Sequence, residues 1–462
     1  MSVIDLFPAR DLVIDPVLIR KHDVNGPRYT SYPTADRFTE RYGEAGLRRT
    51  LAARQDASRP WSLYMHLPFC DTLCYYCACN KVITRDHGKS AKYVDYLVRE
   101  LEMLAPQLGE QRNVSQLHWG GGTPTFLARE EMTLLILALD RHFRRSPDFE
   151  CSIEVDPRRV QPGTLAFLGE LGFNRISIGV QDFDPEVQRA VHRIQSEEVT
   201  RAAIEEARAS GFRSVNLDLI YGLPKQTLYG FGRTLEKVLS LSPDRIALYS
   251  YAHLPAMFKP QRRIAESELP AAEAKLQILT LAIGRLTRAG YVYIGMDHFA
   301  RPDDALALAQ SRGELQRNFQ GYSTHADCDM LALGISAIGK VGPAYYQNVK
   351  TLKEYYERID AGALPVVRGL ELSPDDLLRR KVIHALACNF RLSTGSLGVD
   401  FAGYFATELG ELRKLAQDGL VEISAEAIVV TPKGRLLVRS ICMVFDRYLR
   451  EKRERATYSR VV

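Results

Sequence analysis

The chain has 462 residues, of which 46% are hydrophobic and 25% charged, and its formal net charge is +5. This composition is that of an ordinary globular protein of two or three domains, and it excludes a disordered or fibrous chain. Such a diffuse charge does not indicate a nucleic-acid-binding protein, and no segment approaches the roughly 18–20 apolar residues of a membrane span. We therefore expect neither nucleic acid nor a membrane as a partner.

The first 55 residues are predicted to form an extension rather than a domain. They are polar and interrupted by proline, and only residues 39–54 show helical periodicity. Residues 1–13 contain acidic side chains and Pro8, which excludes a secretory signal peptide, because such a peptide needs a basic start and an unbroken apolar core. We expect an extension that covers another part of a cytoplasmic protein, whose thiols stay reduced.

A short predicted strand at residues 62–66 leads into three cysteines, Cys70, Cys74 and Cys77, with the spacing Cys-x3-Cys-x2-Cys. A cubane of four irons and four sulfides normally takes four thiolates. Three thiolates on one loop would leave one iron open to a substrate or cofactor, as in metal sites that carry out chemistry. The spacing therefore predicts a catalytic [4Fe–4S] cluster.

Two other uses of these cysteines stay open. A zinc ion would need His66 or His87 as its fourth ligand, although neither has the usual spacing and no second Cys-x2-Cys unit is present. The other use is a disulfide or redox-active thiol pair. That use is disfavoured in a chain with eight cysteines and no secretory signal.

Beyond the cysteines, strands and helices alternate. Apolar spacing predicts helices at residues 92–104 and 128–143, and strands at residues 115–119, 151–155, 175–179, 215–221, 245–249 and 291–295. Three helices end in glycine followed by an aromatic residue, at Gly172, Gly211 and Gly290, and Ser196 is a typical N-cap for the helix that Gly211 closes. The alternation predicts an α/β fold of right-handed βαβ units, with a parallel sheet forming a partial or full barrel.

In such barrels the functional residues lie at the carboxyl ends of the strands, where the cysteine loop also falls. Gly121 and Gly122 follow the second strand and would let the backbone approach a ligand, although a tight strand–helix turn explains them equally. Glu154 and Asp218 stand in apolar strands. Glu154 also fits a surface carboxylate, whereas Asp218 needs a cationic side chain or a ligand hydroxyl as its partner.

Residues 364–372 are interpreted as a linker. The pattern after them predicts a helix from the Ser373-Pro374 cap to about residue 387, a helix at 401–418, a hairpin of 420–423 with 428–430, and a last helix from Thr431 to about residue 452. These elements are typical of a mostly helical, winged-helix-like domain. Its arginines are compatible with DNA binding, but ordinary solvation of a helix face is the favoured interpretation.

The cysteine spacing, with Tyr76 just before the third cysteine, resembles that of the radical S-adenosylmethionine (SAM) superfamily. Four further segments resemble the oxygen-independent coproporphyrinogen III oxidase family: NGPRYTSYPTA at 25–35, LHWGGGTPT at 117–125, GMDHFA at 295–300 and NFQGY at 318–322. The likeness runs from about residue 20 to the C-terminus. It implies an N-terminal extension at 1–55 that covers the active site, a radical SAM (β/α) barrel at 56–365, and the helical domain at 373–462.

The resemblance also implies two cofactors and the residues that hold them. Cys70, Cys74 and Cys77 would bind a [4Fe–4S] cluster whose fourth iron takes SAM, and one electron would cleave SAM to a radical that removes hydrogen from an unactivated carbon. The residues implied to contact this SAM are Tyr64, Tyr76, Gly121, Gly122, Thr123 and Glu154. A second SAM molecule would be held by Gln181, Arg193, Asp218, Ala252 and Ile338. Taken singly, each of these positions also fits an ordinary structural role.

The implied substrate is coproporphyrinogen III, whose ring A and ring B propionates would become the vinyl groups of protoporphyrinogen IX in haem biosynthesis. Cys79 is implied to act near the substrate, with His66 beside it, and Arg28 would meet a propionate. The implied electron source is an external reductant such as flavodoxin or ferredoxin, and we expect a monomer. Two alternatives stay open: a haem chaperone of the same superfamily, which generally has phenylalanine in place of Cys79, and a radical SAM enzyme with another substrate.

Overall fold

The computed structural model describes residues 12–54, 59–325, 328–451, 458 and 460. The predictions for residues 1–11 and for a helix beyond residue 451 lie outside this part of the chain. Its strands are β1 (Trp61–Leu67), β2 (Phe69–Cys70), β3 (Val82–Ile83), β4 (Asn113–Gly121), β5 (Arg144–Val155), β6 (Arg175–Gln181), β7 (Ser214–Tyr221), β8 (Arg245–Ser250), β9 (Val292–Gly295), β10 (His298–Ala300), β11 (Gln316–Asn318), β12 (Gly321–Ser323), β13 (Asp329–Leu333), β14 (Ile338–Val341), β15 (Ala344–Asn348), β16 (Val366–Glu371), β17 (Arg391–Ser393), β18 (Val421–Ile423) and β19 (Ala427–Val430).

The helices of the same residues follow in chain order. They are α1 (Pro16–His22), α2 (Glu44–Ala52), α3 (Gly88–Leu104), α4 (Arg129–His142), α5 (Thr164–Glu170), α6 (Pro185–Ala190), α7 (Glu197–Ala209), α8 (Leu228–Leu241), α9 (Ala272–Arg288), α10 (Ala305–Ser311), α11 (Leu352–Asp360), α12 (Pro374–Asn389), α13 (Phe401–Tyr404), α14 (Ala406–Gln417), α15 (Val438–Met443) and α16 (Arg447–Glu451). No helix among them is long and apolar enough to cross a membrane.

A twelve-stranded sheet forms the centre of the molecule, in the order β16-β15-β14-β13-β1-β4-β5-β6-β7-β8-β10-β9. The seven strands from β13 to β8 are parallel, and the strands beyond them on both sides are antiparallel. The predicted parallel α/β sheet is confirmed, and because the strand order has two ends the barrel is partial. The strand predicted at 291–295 is wrong as a further parallel strand, since β9 pairs antiparallel with β10 at the edge.

The two faces of the parallel strands differ in polarity. Trp61, Leu63 and Met65 of β1 are at most 1% exposed and pack in the main core. The alternate positions of the strands face a cavity inside the partial barrel and are polar, and they include His118, Ser152, Glu154, Ser177, Asn216 and Asp218. Alternation in a strand thus separates a packing face from a face that can bind a ligand.

The predicted helix ends are confirmed. Gly172, Gly211 and Gly290 have φ of 96°, 83° and 91°, the left-handed conformation that closes a helix at little cost for glycine. The Ser196 hydroxyl accepts a hydrogen bond from the Val199 amide at the start of α7. These caps set each helix against the next strand of the sheet.

The linker predicted at residues 364–372 is wrong, because residues 366–371 form β16. This strand pairs with β15, and Gly369 also pairs with Thr39 of the N-terminal extension. A Cβ atom on Gly369 would lie 2.3 Å from the Tyr42 ring and 2.2 Å from the Tyr345 carbonyl oxygen. The glycine therefore allows close packing within the sheet rather than marking a flexible connection.

The C-terminal elements follow the prediction in part. Ser373 and Asp376 form a capping box at the start of α12, and β18 and β19 form the predicted hairpin, joined by β17. The predicted last helix is wrong as one continuous element, because α15 and α16 are separate and residues 431–434 form a turn. The carboxylate of Asp446 accepts from the Tyr448 amide, which starts α16 with a new cap.

The N-terminal extension lies between the barrel and the C-terminal elements. Arg439 of α15 donates to the carbonyls of Pro27, at 3.0 Å, and Gly26. The Tyr29 hydroxyl, which is buried, donates to Asp446 at 3.0 Å. Residues 26–29 are thereby fixed by side chains more than 400 positions away in the sequence.

Candidate active site

The cysteine loop leaves the carboxyl end of β1, as predicted. Strand β2, at the start of the loop, pairs in parallel with β3, which fixes both ends of the loop. Its centre is tied to the chain after β6, because the Tyr75 amide donates to the Val191 carbonyl at 3.0 Å and the Tyr75 ring stacks on His192 at 5.0 Å. The loop is therefore held at the mouth of the partial barrel.

Two arginines approach the second cysteine. The sulfur of Cys74 lies 3.6 Å from Arg193 Nη1 and 3.7 Å from Arg158 Nη2. The carboxylate of Asp156 holds both guanidinium groups, at 3.2 Å from Arg193 and 2.6 Å from Arg158. Neighbouring guanidinium groups favour the thiolate, which is the form of cysteine that binds a metal.

The other two thiols differ in how readily they ionise. The hydrogen bond with Cys79 is the main cause that lowers the pKa of Cys77 to about 6, and Lys81 acts in the same direction. Burial raises the pKa of Cys70 to about 12. Because a metal keeps a coordinating thiol deprotonated, a bound cluster would reverse the effect of burial on Cys70.

The donor set fits a cluster better than a single ion. Tetrahedral zinc needs four ligands at about 2.0–2.3 Å from one point. Among the described residues, no three His, Cys, Asp or Glu side chains converge closely enough to hold one metal ion. A cubane is bound at separate corners and makes no such demand, so three cysteines on one loop suit it. All eight cysteines are free thiols, which speaks against a disulfide.

The glycine-rich segment after β4 packs directly against the cysteine loop. The Gly122 amide donates to the Leu67 carbonyl and the Thr123 amide to the Phe69 carbonyl, both at 2.8 Å. A Cβ atom on Gly122 would lie 2.6 Å from the Pro68 carbonyl oxygen, and Gly121 has a φ of 113°. Both glycines are thus required by the backbone contact between the segment and the loop.

Glu154 lies inside the barrel, so the alternative of a surface carboxylate is wrong. It accepts from the Gly121 amide at 3.0 Å and pairs with His118 Nε2 at 3.3 Å. Its side chain keeps 45% of its accessible surface, and this exposure is to the interior cavity. Although burial alone would raise the pKa of Glu154, His118 and the Gly121 amide lower it, so the carboxylate is ionised.

His66 has both ring nitrogens in use. Its Nε2 lies 2.8 Å from the Asn80 carbonyl oxygen and its Nδ1 lies 3.1 Å from the Tyr64 hydroxyl. Since a carbonyl only accepts, Nε2 carries the proton and Nδ1 accepts from Tyr64. Burial lowers the pKa of His66, so the ring is neutral. His66 therefore holds Tyr64, and through Asn80 it holds the end of the cysteine loop.

Cys79 is brought to the same place. Its thiol is accessible, and the negative charge of Glu154 contributes to raising its pKa, after the larger effect of Cys77. After burial and the charge of Glu154, the charge of Cys79 contributes to raising the pKa of Tyr64. These electrostatic effects place Cys79 near Glu154 and Tyr64, two of the residues that resemblance assigns to SAM.

Three of the residues implied to hold a second SAM surround the end of β6. A Cβ atom on Gly179 would lie 2.7 Å from Gln181 Nε2 and 3.0 Å from Arg193 Nη2. The carboxylate of Asp218 accepts from Ser177 at 2.9 Å and from Asn216 at 2.8 Å, and burial raises its pKa to about 7. Its hydrogen-bond partners are therefore neutral, in place of the cationic side chain that we expected as one possibility.

The other predicted residues are more widely spread. Gln261 Nε2 donates to the carbonyls of Tyr76 and Ala252, both at 3.2 Å, and so joins the cysteine loop to the chain after β8. Ile338 begins β14 and packs in a different cluster, which contains Phe38, Tyr345 and Leu372. Because β14 runs antiparallel to β13, its first residue lies at the same edge as the carboxyl ends of the parallel strands.

Arg28 forms an ion pair with Asp297 at 2.9 Å and lies 3.5 Å from the Ser250 carbonyl. The extension thus reaches the end of β8.

Sequence reasoning missed several residues of this site. Asp156 and Arg158 directly follow β5, and the position of Asp156 at a strand end was a usable signal. Gln261 lies on a loop and contacts residues distant in sequence, so no local pattern identifies it.

Several known proteins resemble this chain over most of its length. The model of the radical SAM superfamily matches residues 64–238, and that of the HemN C-terminal domain matches residues 372–437. The chain is 51% identical to the oxygen-independent coproporphyrinogen III oxidase of Salmonella typhimurium, over 97% of this chain and 98% of that protein. It is 50% identical to the enzyme of the same name from Escherichia coli K12, with the same coverage.

A solved structure extends the likeness to three dimensions. The coproporphyrinogen III oxidase (HemN) from Escherichia coli, described as a radical SAM enzyme, superposes with a TM-score of 0.91 at 49% identity, covering 95% of this chain and all of that one. The haem-chaperone alternative is not favoured, because these full-length relatives are named as oxidases. The chain belongs to the family of oxygen-independent coproporphyrinogen III oxidases.

Proposed function

We propose that the chain converts coproporphyrinogen III to protoporphyrinogen IX by oxidative decarboxylation of the ring A and ring B propionates. A hydrogen atom is removed from the propionate β-carbon. Loss of CO2 and transfer of one electron to an external electron acceptor then leave a vinyl group. The observation that carries the proposal is the three-cysteine loop at the mouth of the partial barrel, in a chain related over its whole length to enzymes of this name.

The cofactors are a [4Fe–4S] cluster and SAM, which when bound supply the hydrogen-abstracting radical. We infer that Cys70, Cys74 and Cys77 hold the cluster, because they share one loop and cationic side chains support two of the thiolates. Asp156 keeps Arg193 and Arg158 against Cys74. These charges lower the cost of collecting several thiolates in a buried place.

The residues for SAM follow from the same geometry. Glu154 is an ionised carboxylate at the barrel mouth and is suited to an ammonium group, and Gly121, Gly122 and Thr123 present backbone next to it. Tyr64 lies on β1 before the loop, and Tyr76 lies within the loop between Cys74 and Cys77. Gln181, Arg193 and Asp218, with Ala252 and Ile338, are proposed to hold a second SAM, and the neutral partners of Asp218 leave it able to accept from ribose hydroxyls.

Cys79 is the proposed catalytic residue, because it is exposed and lies near enough to Tyr64 and Glu154 to interact with them electrostatically. His66 is proposed to act with it. Both nitrogens of His66 are already hydrogen-bonded, so its contribution is to orient Tyr64 and the loop that carries Cys79. Arg28 stays a predicted contact for a propionate.

The electron donor, the oligomeric state and the location of the protein are also proposals. The cluster needs one electron at a time, which an external carrier such as flavodoxin or ferredoxin would supply. A monomer and a cytoplasmic location stay predictions, the latter motivated by the eight free cysteines.

One experiment tests the function. The chain is reconstituted anaerobically with iron and sulfide and supplied with a reductant, SAM and coproporphyrinogen III, and protoporphyrinogen and 5′-deoxyadenosine are measured together. We expect both products to form in parallel. Stable stoichiometric binding of added haem without decarboxylation would contradict the proposal and point to a chaperone.

A further inference from the structure

A second cavity of about 450 Å³ lies beside the barrel interior, between α12 and the antiparallel part of the sheet. Its size is within the usual range for a small-molecule site. Four cationic side chains line it, and none of the described lining residues is acidic; the four are Arg317, Lys340, Arg380 and Lys381. The cavity therefore has a positive potential that suits an anionic group.

Arg317 of β11 is the most informative of these residues. It is only 7% exposed, and its Nε and Nη1 atoms are buried without a hydrogen-bond partner. Its guanidinium lies 4.7 Å from the centre of the Tyr322 ring, a contact that leaves the N–H donors free. A buried charge without hydrogen bonds is costly, and proteins keep such groups where a ligand satisfies them.

His384 of α12 also lines this cavity. Its Nε2 is buried without a hydrogen-bond partner. Burial, together with the charges of Arg380, Lys340 and Arg317, lowers its pKa to about 3. Three cations from three different elements therefore act on one neutral imidazole, whose N–H can donate to an anion. Arg380 is held in place by the Tyr345 hydroxyl at 3.4 Å.

The cavity adjoins the barrel interior. Gln116, Asn318 and Ser323 line both this cavity and the one that contains Glu154 and Asp218. Ser62, at the start of β1, lines the cationic cavity, whereas the cysteine loop follows the end of β1. The two cavities are thus neighbours, with the cationic cavity at the end remote from the cysteines.

We propose that this cavity is a carboxylate subsite, in which Arg317, supported by Arg380 and His384, binds propionate groups of the substrate that are not reacting. The proposal rests on the proposed function, because it takes the substrate to be a tetracarboxylate. Arginine binds a carboxylate through two parallel N–H donors, which fixes the orientation of the macrocycle as well as its position. The subsite would hold one side of the substrate while a propionate on another side faces the cysteine loop.

The test compares binding of two stable porphyrins to the full chain by fluorescence quenching: coproporphyrin III and its tetramethyl ester, which lacks the carboxylates. We expect Arg317→Gln and Arg380→Gln to weaken binding of the acid by about 10- to 100-fold and to leave binding of the ester unchanged. SAM affinity should not change. Arg312→Gln is the matched control, because Arg312 is exposed and pairs with Glu314 at 3.0 Å.

Wild-type affinity of Arg317→Gln for the acid, or equal weakening for acid and ester, would overturn the subsite. Failure of the wild-type chain to bind the acid would overturn the substrate assignment itself. Circular dichroism checks folding. If Arg317→Gln does not fold, Arg380→Gln on α12 carries the same test, and Arg317→Lys, which keeps the charge but not the two parallel donors, should bind with intermediate affinity.

Discussion

The three cysteines predicted to hold the cluster experience different electrostatic surroundings. Cys74 has two guanidinium groups beside it, Cys77 has a lowered pKa of about 6, and burial raises the pKa of Cys70 to about 12. A ligand must be deprotonated before it binds a metal. Cys77 is therefore ready for iron at neutral pH, whereas the thiolate of Cys70 would be stabilised by the metal itself.

Replacing one of these ligands should remove the cluster. We expect Cys74→Ala and Cys77→Ala to lose the cluster absorbance after anaerobic reconstitution, because two thiolates do not hold a cubane that normally has four. Cys151→Ala is the control, since Cys151 is a free thiol buried in β5 away from the loop. Full cluster content in either loop variant would remove that residue from the ligand set.

Cys79 should be needed for turnover but not for binding of the cluster, in contrast to the three cluster ligands. Cys79→Ala is expected to keep the cluster and to form little or no protoporphyrinogen, because the variant lacks the thiol that is proposed to take part in the reaction. Iron content and product formation are measured on the same sample. Turnover at the wild-type rate would leave Cys79 with only its structural role as hydrogen-bond partner of Cys77.

At the scale of elements, the site depends on contacts between backbone segments. The segment after β4 lies so close to the cysteine loop that Gly122 has no room for a side chain. Behind β1, the hydroxyl of Tyr93 from α3 donates to the His66 carbonyl at 2.8 Å and accepts from the Ile335 amide. Helix α3 and the turn after β13 thus support the strand that carries Tyr64 and His66.

Gly122→Ala should displace the cysteine loop. The added methyl group would lie within 2.6–2.7 Å of two carbonyl oxygens, those of Pro68 and Phe69, and a backbone contact cannot be relieved by rotating a side chain. We expect SAM affinity to fall at least about tenfold, measured by equilibrium dialysis. Gly410→Ala, where no atom lies within 4 Å of the added carbon, should bind SAM normally.

Glu100 of α3 links several elements and should make stability depend on pH. It accepts from Tyr355 at 2.6 Å, Asn348 at 2.7 Å and the Gly334 amide at 2.8 Å. Burial raises its pKa from 4.5 to about 7. Between these two pH values the folded chain binds more protons than the unfolded chain, so the free energy of unfolding falls as pH rises.

Glu100→Gln should flatten this dependence. We expect the loss of stability between pH 5 and pH 7 to shrink by up to about 3 kcal/mol, measured by urea unfolding at several pH values. Glu102→Gln, on the exposed face of the same helix, should keep the wild-type slope. If the free energy of unfolding changed with pH equally in the wild type and in Glu100→Gln, the pKa of Glu100 would be the same in the folded and the unfolded chain.

At the scale of the whole molecule, the N-terminal extension joins the barrel to the C-terminal elements. It pairs with β16 through Thr39 and with α15 through Arg439, and it reaches Asp297 of the barrel through Arg28. A segment that contacts both parts can position them relative to each other.

Tyr29→Phe tests the strength of this link. It removes the hydroxyl that donates to the buried carboxylate of Asp446, and an unsatisfied buried acceptor costs about 1–3 kcal/mol. Urea unfolding should show a loss of that size. Tyr404→Phe, which removes a similar bond to Asp375 at 2.8 Å from a tyrosine that is 45% exposed, should cost less than about 0.5 kcal/mol. Equal effects would contradict the proposed anchoring.

The local sequence pattern was enough to predict the parallel strands, the helices between them and the place of the cysteine loop. Apolar periodicity, the caps at Ser196 and Gly211, and the spacing of three cysteines all act within a few residues, so they can be read from the sequence alone. The segment 366–371 could not be read in this way. It is a strand because β15 and Thr39 pair with it, and Gly369 looks like a linker residue until its packing against Tyr42 is seen.

The sequence by itself determined that this chain has a three-thiolate loop after the first strand of a β/α sheet, and with it the family and the chemistry. Only the tertiary structure decided that the barrel is partial, that His66 uses both nitrogens, and that Tyr29 bonds to Asp446 between the last two helices. It also decided that Arg317 lies without hydrogen bonds in a cationic cavity. These features depend on contacts between residues far apart in the chain, which no local spacing encodes.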